Sequence, residues 1–364
     1  MISANGGADE IRIGFISLPG FNVSWAGGNP LTPGYCFGSD DGEIEFTGLD
    51  YSRGGGPQAV ATSRDAINGI AFVGRLMAVS TRSEVVFLDV PYPGDALVGH
   101  SVFHGGVHGV VGSPSGGFVA PMGRRGILLI EPNQIATRRV KVLKPADEAL
   151  NIYKVVSLAS PDRGEVLACA ARRSGFAVMP LTRDGLESSG KRLRPPGVDF
   201  IDVAALGVEG YPLAAVASGL DCSIYFVRDL LDDGLTKALR FKNTMGERAY
   251  RILCAEGHVF LLTNKNLYAF ANLAARFLNG DPIDGRTEYQ RVPMEAVDAS
   301  VACDRSLLVV MPDSVYRIEI DSFIAGGARH AGHSRHEKMS SEWESFDGSP
   351  WGQMEELELT EGGV

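Results

Sequence analysis

Short apolar runs recur along the whole chain, and each is broken by a tight cluster of Gly, Asp, Ser or Asn. The unit is clearest in INGIAFVG-RLMAVSTRSEVVFLDV, from Ile67 to Val90. An apolar strand turns into a second apolar strand, and a polar turn then leads to a third with alternating pattern. Alternation of this kind predicts half-buried β-strands, because successive side chains of a strand point to opposite faces. The same unit follows at Val107–Pro132, Tyr153–Leu181, Ile201–Leu230, from Tyr250 and from Val297. A less regular copy opens the series near Asn22.

A polar residue stands just ahead of each first apolar run: Asn22, Asn68, His108, Lys154, Asp202, Arg251 and Asp298. Consecutive members lie 40 to 49 residues apart. A period in the forties, with three visible strands and room for a fourth, predicts the blades of a β-propeller. Each small sheet alone would leave a face wet, and stacking the sheets around a ring buries both faces. The fourth strands are expected in PQAVAT, ALVGHSVF, ATRRVKVL, GKRLR, TKALRFK and TEYQRVP. The last repeat has none, because alternation stops after Ile320. Ile11–Ser17 alternates correctly and is expected to pair beside Ser314–Ile320, closing the ring and hiding two sheet edges. The sequence thus predicts an all-β, seven-bladed propeller at residues 11–324. A flexible N-terminus precedes it at residues 1–10, and a disordered acidic tail follows at residues 325–364.

Within these repeats, Gly99-His100, Val107 and Ser113-Pro114-Ser115-Gly116 resemble the GH pair, first strand and SPxG turn of a WD40 repeat. Ser160-Pro161-Asp162-Arg163-Gly164 resembles the same turn one blade later, with one residue inserted. No repeat ends in Trp-Asp; the corresponding positions read Leu88-Asp89, Glu131-Pro132, Met179-Pro180 and Arg228-Asp229. The resemblance implies a rigid ring that holds proteins or peptides on its top face and rim. It implies no specific family or reaction.

Composition agrees with many short strands joined by turns: 45 glycines and 19 prolines are spread through 364 residues. A net charge of −10 argues against a dedicated nucleic-acid binder, which needs clustered cations. Five isolated cysteines without a CxxC pattern read as reduced core residues. The N-terminus MISANGGADE lacks the features of a signal peptide, and no apolar stretch reaches the ~18 residues of a membrane span. A cytoplasmic location is expected.

Three groups are candidates for binding. The seven strand-opening residues should converge near the central channel, where a mixed-charge surface suits a peptide or loop. The bland alternative is that solvated polar residues simply begin strands at a wet channel. The predicted outer strands carry a basic flank of Arg138, Arg139, Lys141, Lys144, Lys191, Arg192, Arg194, Lys237, Arg240 and Lys242. Such cations also protect edge strands from unwanted pairing. The tail holds three cations and eight carboxylates, yet includes Trp343, Phe346, Trp351 and Leu357, a composition suited either to a docking segment or to an inert tail.

Metal and catalytic readings are weaker. His100, His104 and His108, and His330, His333 and His336, have regular spacing but lie in turn-rich or tail sequence with no completing ligands, so neither a metal nor a cofactor is expected. Nucleophile-elbow, HExxH and P-loop motifs are absent from the sequence. The expected function is a non-catalytic protein-interaction platform, a scaffold or regulatory subunit, with another protein or peptide as partner. The alternative is a propeller hydrolase or lyase with its site at the channel mouth, where Asp202, Asp298 and His108 are the available acid/base groups.

Overall fold

The structure is a computed structural model. It describes the chain outside residues 1–10, 32, 51–55, 62, 91–97, 146–149, 161–163, 183–184, 187–190, 194–197, 206–213, 219–222, 228–236, 241–246, 280, 282–287, 313, 327–329, 332–336, 339–343, 346–350 and 360–364. The expected flexible N-terminus therefore lies outside the described residues, as do Arg194, Lys242, Trp343 and Phe346.

Strands dominate and assemble as a β-propeller. Blade 1 runs outward through Val23–Gly28, Gly34–Ser39, Glu43–Gly48 and Gln58–Ala59. Blade 2 uses Gly69–Val73, Leu76–Ser80, Glu84–Asp89 and Val98–His104; blade 3 uses Val111–Gly112, Phe118–Pro121, Ile127–Ile130 and Arg139–Pro145. Blade 4 consists of Lys154–Ser160, Gly164–Ala170, Phe176–Thr182 and Lys191–Leu193, with the short Gly185–Leu186 against its third strand. Blade 5 contains Phe200–Ala205, Ala214–Ser218, Ser223–Val227 and Lys237–Arg240; blade 6 contains Ala249–Ala255, His258–Thr263, Asn266–Phe270 and Glu288–Pro293. Neighbouring strands are antiparallel throughout, as short hairpin connections require.

Six blades are laid down by continuous stretches of chain, where the repeat count predicts seven. The seventh repeat does not form a blade by itself. Its strands Asp298–Val301, Ser306–Met311 and Ser314–Glu319 run straight into the short helix Ile320–Ala325, which stands where an outer strand would begin. The fourth place in this sheet is taken by Ile13–Ile16, antiparallel to Ser314–Glu319 with Ile13 opposite Ile318 and Ile16 opposite Val315.

The core is divided among the interfaces between adjoining sheets. Phe87 of blade 2 meets Phe118 of blade 3 with ring centroids 6.0 Å apart, amid Ala78, Val85, Leu128 and Ile130. Leu253 and Phe260 of blade 6 pack with Leu307 and Val309 of the composite sheet and with Phe323 of the helix after it, and Tyr35 and Phe37 of blade 1 pack with that sheet's Leu308 and Val310. Small inner-strand residues such as Ala71, Ala204 and Ala299 fit the taper toward the axis. Inner strands also touch from blade to blade, and Asp298–Val301 touches Val23–Gly28.

Four described stretches of the tail are short strands. His330–Ala331, Glu337–Lys338, Glu344–Ser345 and Trp351–Glu358 pair antiparallel with the outer strands of blades 6, 5, 4 and 3 in turn. In register, Arg139 lies opposite Glu358, Lys141 opposite Glu356 and Arg192 opposite Glu344, while Lys237 lies opposite Lys338. An outer strand exposes unpaired N–H and C=O groups, so an acidic segment adding to a basic edge gains backbone and charge pairing together. Composition suggests disorder because this segment lacks an apolar face of its own; the partner strand supplies the template. Among the described residues no helix is long and apolar enough to cross a membrane.

Candidate binding site at the channel mouth

The strand-opening residues gather at one end of the central channel, with one exception. Asn68, His108, Lys154, Asp202, Arg251 and Asp298 line its cavities. Asn22 is exposed, and in blade 1 Ser24 and Trp25 line the two cavities named here. The pairing of Val23–Gly28 with Gly34–Ser39 shifts between Val23 and Trp25, and this bulge moves the register past Asn22.

Several of these residues serve as staples between blades. Asn68 Nδ2 donates to Val107 O of blade 3 at 2.9 Å, and Ser80 Oγ donates to Asn68 Oδ1 at 2.7 Å. Ser24 Oγ donates to Ile67 O at 2.8 Å. Asp202, only 2% exposed, accepts from Ile252 N of blade 6 at 2.8 Å. Arg251 Nε donates to Ala299 O of the composite sheet at 3.2 Å. The same guanidinium lies 3.1 Å from Asp298 and 3.7 Å from Asp202. Burial opposes the charge on Arg251, but Asp298 and Asp202 outweigh it and raise the pKa. The carboxylates that looked available for acid/base work are held by one arginine.

His108 and Lys154 lead outward to a different set. The His108 ring packs on Tyr153 with centroids 4.5 Å apart, and the Arg172 guanidinium lies 4.9 Å from the centre of the Tyr153 ring. Arg172 is also 3.7 Å from Asp199. Burial first, and then the charges of Lys154, Arg172, Arg82 and Arg125, lower the His108 pKa and favour neutral imidazole. Lys154 is likewise lowered, by desolvation and then by Arg251, while Asp202 and Asp298 partly offset this. Gly123, at φ +63°, permits the close approach: a Cβ there would stand 3.1 Å from His108 Nε2.

Arg82, Lys154, Arg172 and Arg248 border one cavity of about 600 Å³, with Asp199 as its one lining carboxylate among the described residues. Tyr153, Tyr250 and Ile201 give it apolar wall. A neighbouring cavity of about 510 Å³ shares Arg82, Lys154 and Tyr250 and adds Asp65 and Asp298. Asp65 accepts a hydrogen bond from Ser83.

Arg82 and Arg172 were missed because they lie in turns between second and third strands, and Arg248 because it stands just ahead of Ala249–Ala255, three positions before the polar residue chosen for that repeat, Arg251. The signal was nonetheless present: STRSE, MGRRG and AARRSG place Arg82, Arg124-Arg125 and Arg172-Arg173 at corresponding turns of blades 2, 3 and 4, and Asn264-Lys265 follow in blade 6.

The basic flank lies on outer strands, away from the mouth, and is paired with the tail. Arg138 precedes that of blade 3; Arg139, Lys141 and Lys144 lie within it, Lys191 and Arg192 in blade 4, and Lys237 and Arg240 in blade 5. Trp351 and Leu357 lie in the strand added to blade 3, and Leu357 packs against the core between blades 2 and 3. Among the described residues no three His, Cys, Asp or Glu side chains converge as metal ligands. The fold and this mouth define a β-propeller with a cation-rich channel entrance. No protein-family model matches the chain, and no curated protein matches it either.

Proposed function

We propose that this protein is a non-catalytic interaction platform of divergent WD40-like type, working in the cytoplasm as a scaffold or regulatory subunit. In this reading the composite sheet is the seventh vane of one ring, locked by Ile13–Ile16. Contacts between successive inner strands, returning from Asp298–Val301 to Val23–Gly28, support that count. The partner is another protein, and it engages the channel mouth.

The observation carrying this reading is the division of labour at the mouth. Asp202 and Asp298 are tied to Arg251, while Arg82, Lys154 and Arg248 face a cavity and have no hydrogen-bonding or ion-pair partner for their side chains among the described residues. Catalytic acid/base pairs need carboxylates free to exchange protons with substrate, whereas recognition needs fixed charges on a rigid rim. The basic flank and tail enter differently from the sequence expectation: they bind each other, which leaves the mouth as the main partner surface.

The test is a photoreactive residue placed at Arg173, an exposed position of a mouth turn, and separately at Arg75, at the other end of blade 2. Irradiation in native extract is expected to yield a discrete protein adduct from position 173 and none from 75. Adducts from position 75 alone, or from neither, would refute the proposal.

A further inference from the structure

We propose that the cavity bordered by Arg82, Lys154, Arg172 and Arg248 is an oxyanion site, and that its occupant is a phosphate monoester carried on a side chain of the partner. This rests on the platform reading above and names the chemistry it recognises.

Charge and donor count favour phosphate over carboxylate. Four cations border the cavity against Asp199, an excess of three positive charges. A carboxylate brings one negative charge and two oxygens. A phosphate monoester brings about 1.5 to 2 negative charges and three acceptor oxygens near neutral pH. Arginine suits such an ion because its planar fork donates two parallel hydrogen bonds, and lysine adds a point charge.

The site is also prepared for binding. Stacking on Tyr153 and the 3.7 Å approach to Asp199 hold Arg172 in place, so little side-chain freedom remains to be lost. Lys154 lies half-buried below the arginines at the start of the blade 4 inner strand, near the Arg251 charge. An anion there relieves that repulsion. Tyr153, Tyr250 and Ile201 supply surface for the carbon portion of the residue bearing the phosphate. Asp65 and Asp298 line the adjoining cavity and oppose an anion placed on that side, which directs it toward Arg172 and Arg248.

The experiment uses the full chain and isothermal titration at constant ionic strength with three probes: a short phosphoserine peptide, the same peptide with aspartate, and inorganic phosphate. Saturable binding of the phosphoserine peptide is expected, at least tenfold tighter than of the aspartate peptide. Arg82→Gln and Arg248→Gln, both at exposed positions, should each weaken it about tenfold, the loss of roughly one charge-assisted interaction. Arg75→Gln should leave it unchanged, and unaltered thermal transitions would show that all three variants fold. No saturation with any probe up to about 10 mM, a range reaching millimolar affinities, would overturn the proposal. So would equal binding of the two peptides, or binding indifferent to Arg82→Gln and Arg248→Gln. Binding of inorganic phosphate without the phosphoserine peptide would overturn the partner-borne assignment. Any of these failures leaves the photo-crosslinking result standing, so the two readings fall separately.

Discussion

The phenol of Tyr35 in blade 1 donates a 2.7 Å hydrogen bond to Asp304 of the composite sheet. Arg317 Nε donates to the same carboxylate at 2.8 Å and to the Tyr35 oxygen at 3.0 Å. Desolvation, then the bond to Asp304, raises the Tyr35 pKa and keeps the hydroxyl protonated as donor. The cluster joins the first blade to the sheet built from both ends of the chain. Tyr35→Phe is expected to cost about 1 kcal/mol, one hydrogen bond, while Asp304→Ala removes the carboxylate that both Tyr35 and Arg317 donate to and should cost about 2–3 kcal/mol. Urea unfolding of the two variants checks the order; equal and negligible effects would show that the junction is held by packing alone.

Arg251 should matter more to stability than any other mouth cation. Arg251→Met removes the countercharge of Asp202 and Asp298, and leaving a buried charge uncompensated costs about 3–5 kcal/mol. Arg82→Gln and Arg248→Gln, at exposed positions, should stay within about 0.5 kcal/mol of the parent. Equilibrium denaturation separates the two classes, and similar losses for all three would contradict the assignment of Arg251 as a structural staple.

The histidine at the mouth gives a pH signature. The folded pKa of His108 lies below its ordinary value, so in the window between them the unfolded chain binds more protons than the folded one. Stability contributed by neutral His108 is present above the unfolded value of about 6.5, falls away as pH drops through it, and is gone below the folded value. Proton NMR titration should show His108 titrating below a free histidine, and Arg172→Gln should move it upward. An unmoved midpoint would show that Arg172 does not act on the imidazole.

Truncating the tail should cost stability, contrary to what its composition implies. Leu359 is 3% exposed and belongs to the core cluster with Phe103, Ile135, Val140 and Val142. Its backbone N–H donates to Arg138 O. Leu359→Ala is expected to lower stability by about 2 kcal/mol, the low end for a buried leucine. A thermal transition unchanged after deletion of residues 351–364 would show that this strand does not hold.

The fold was legible because each blade writes its own period. The apolar pairs Met77/Val79 and Val86/Leu88 repeat as a local pattern that does not depend on distant chain. The outer strands were legible for the same reason. Three features were not. The bulge at Val23/Trp25 shifts register by backbone geometry, and Asn22 therefore looked like a channel residue. The turn arginines converge only because the ring brings blades 2, 3 and 4 to one axis. The tail strands borrow their order from edges that lie about 40 to 220 residues earlier in the chain, and non-local pairing leaves little trace in composition.

Hydrogen exchange on the partner complex isolated through the cross-link at position 173 tests the central claim most directly. Protection on binding is expected at the mouth turns holding Arg82, Arg125, Arg172 and Asn264, with the turns at Arg75, Gly116 and Gly257 exchanging as in the free chain. Protection confined to those opposite turns, or to the outer strands, would contradict a partner seated on the cationic mouth.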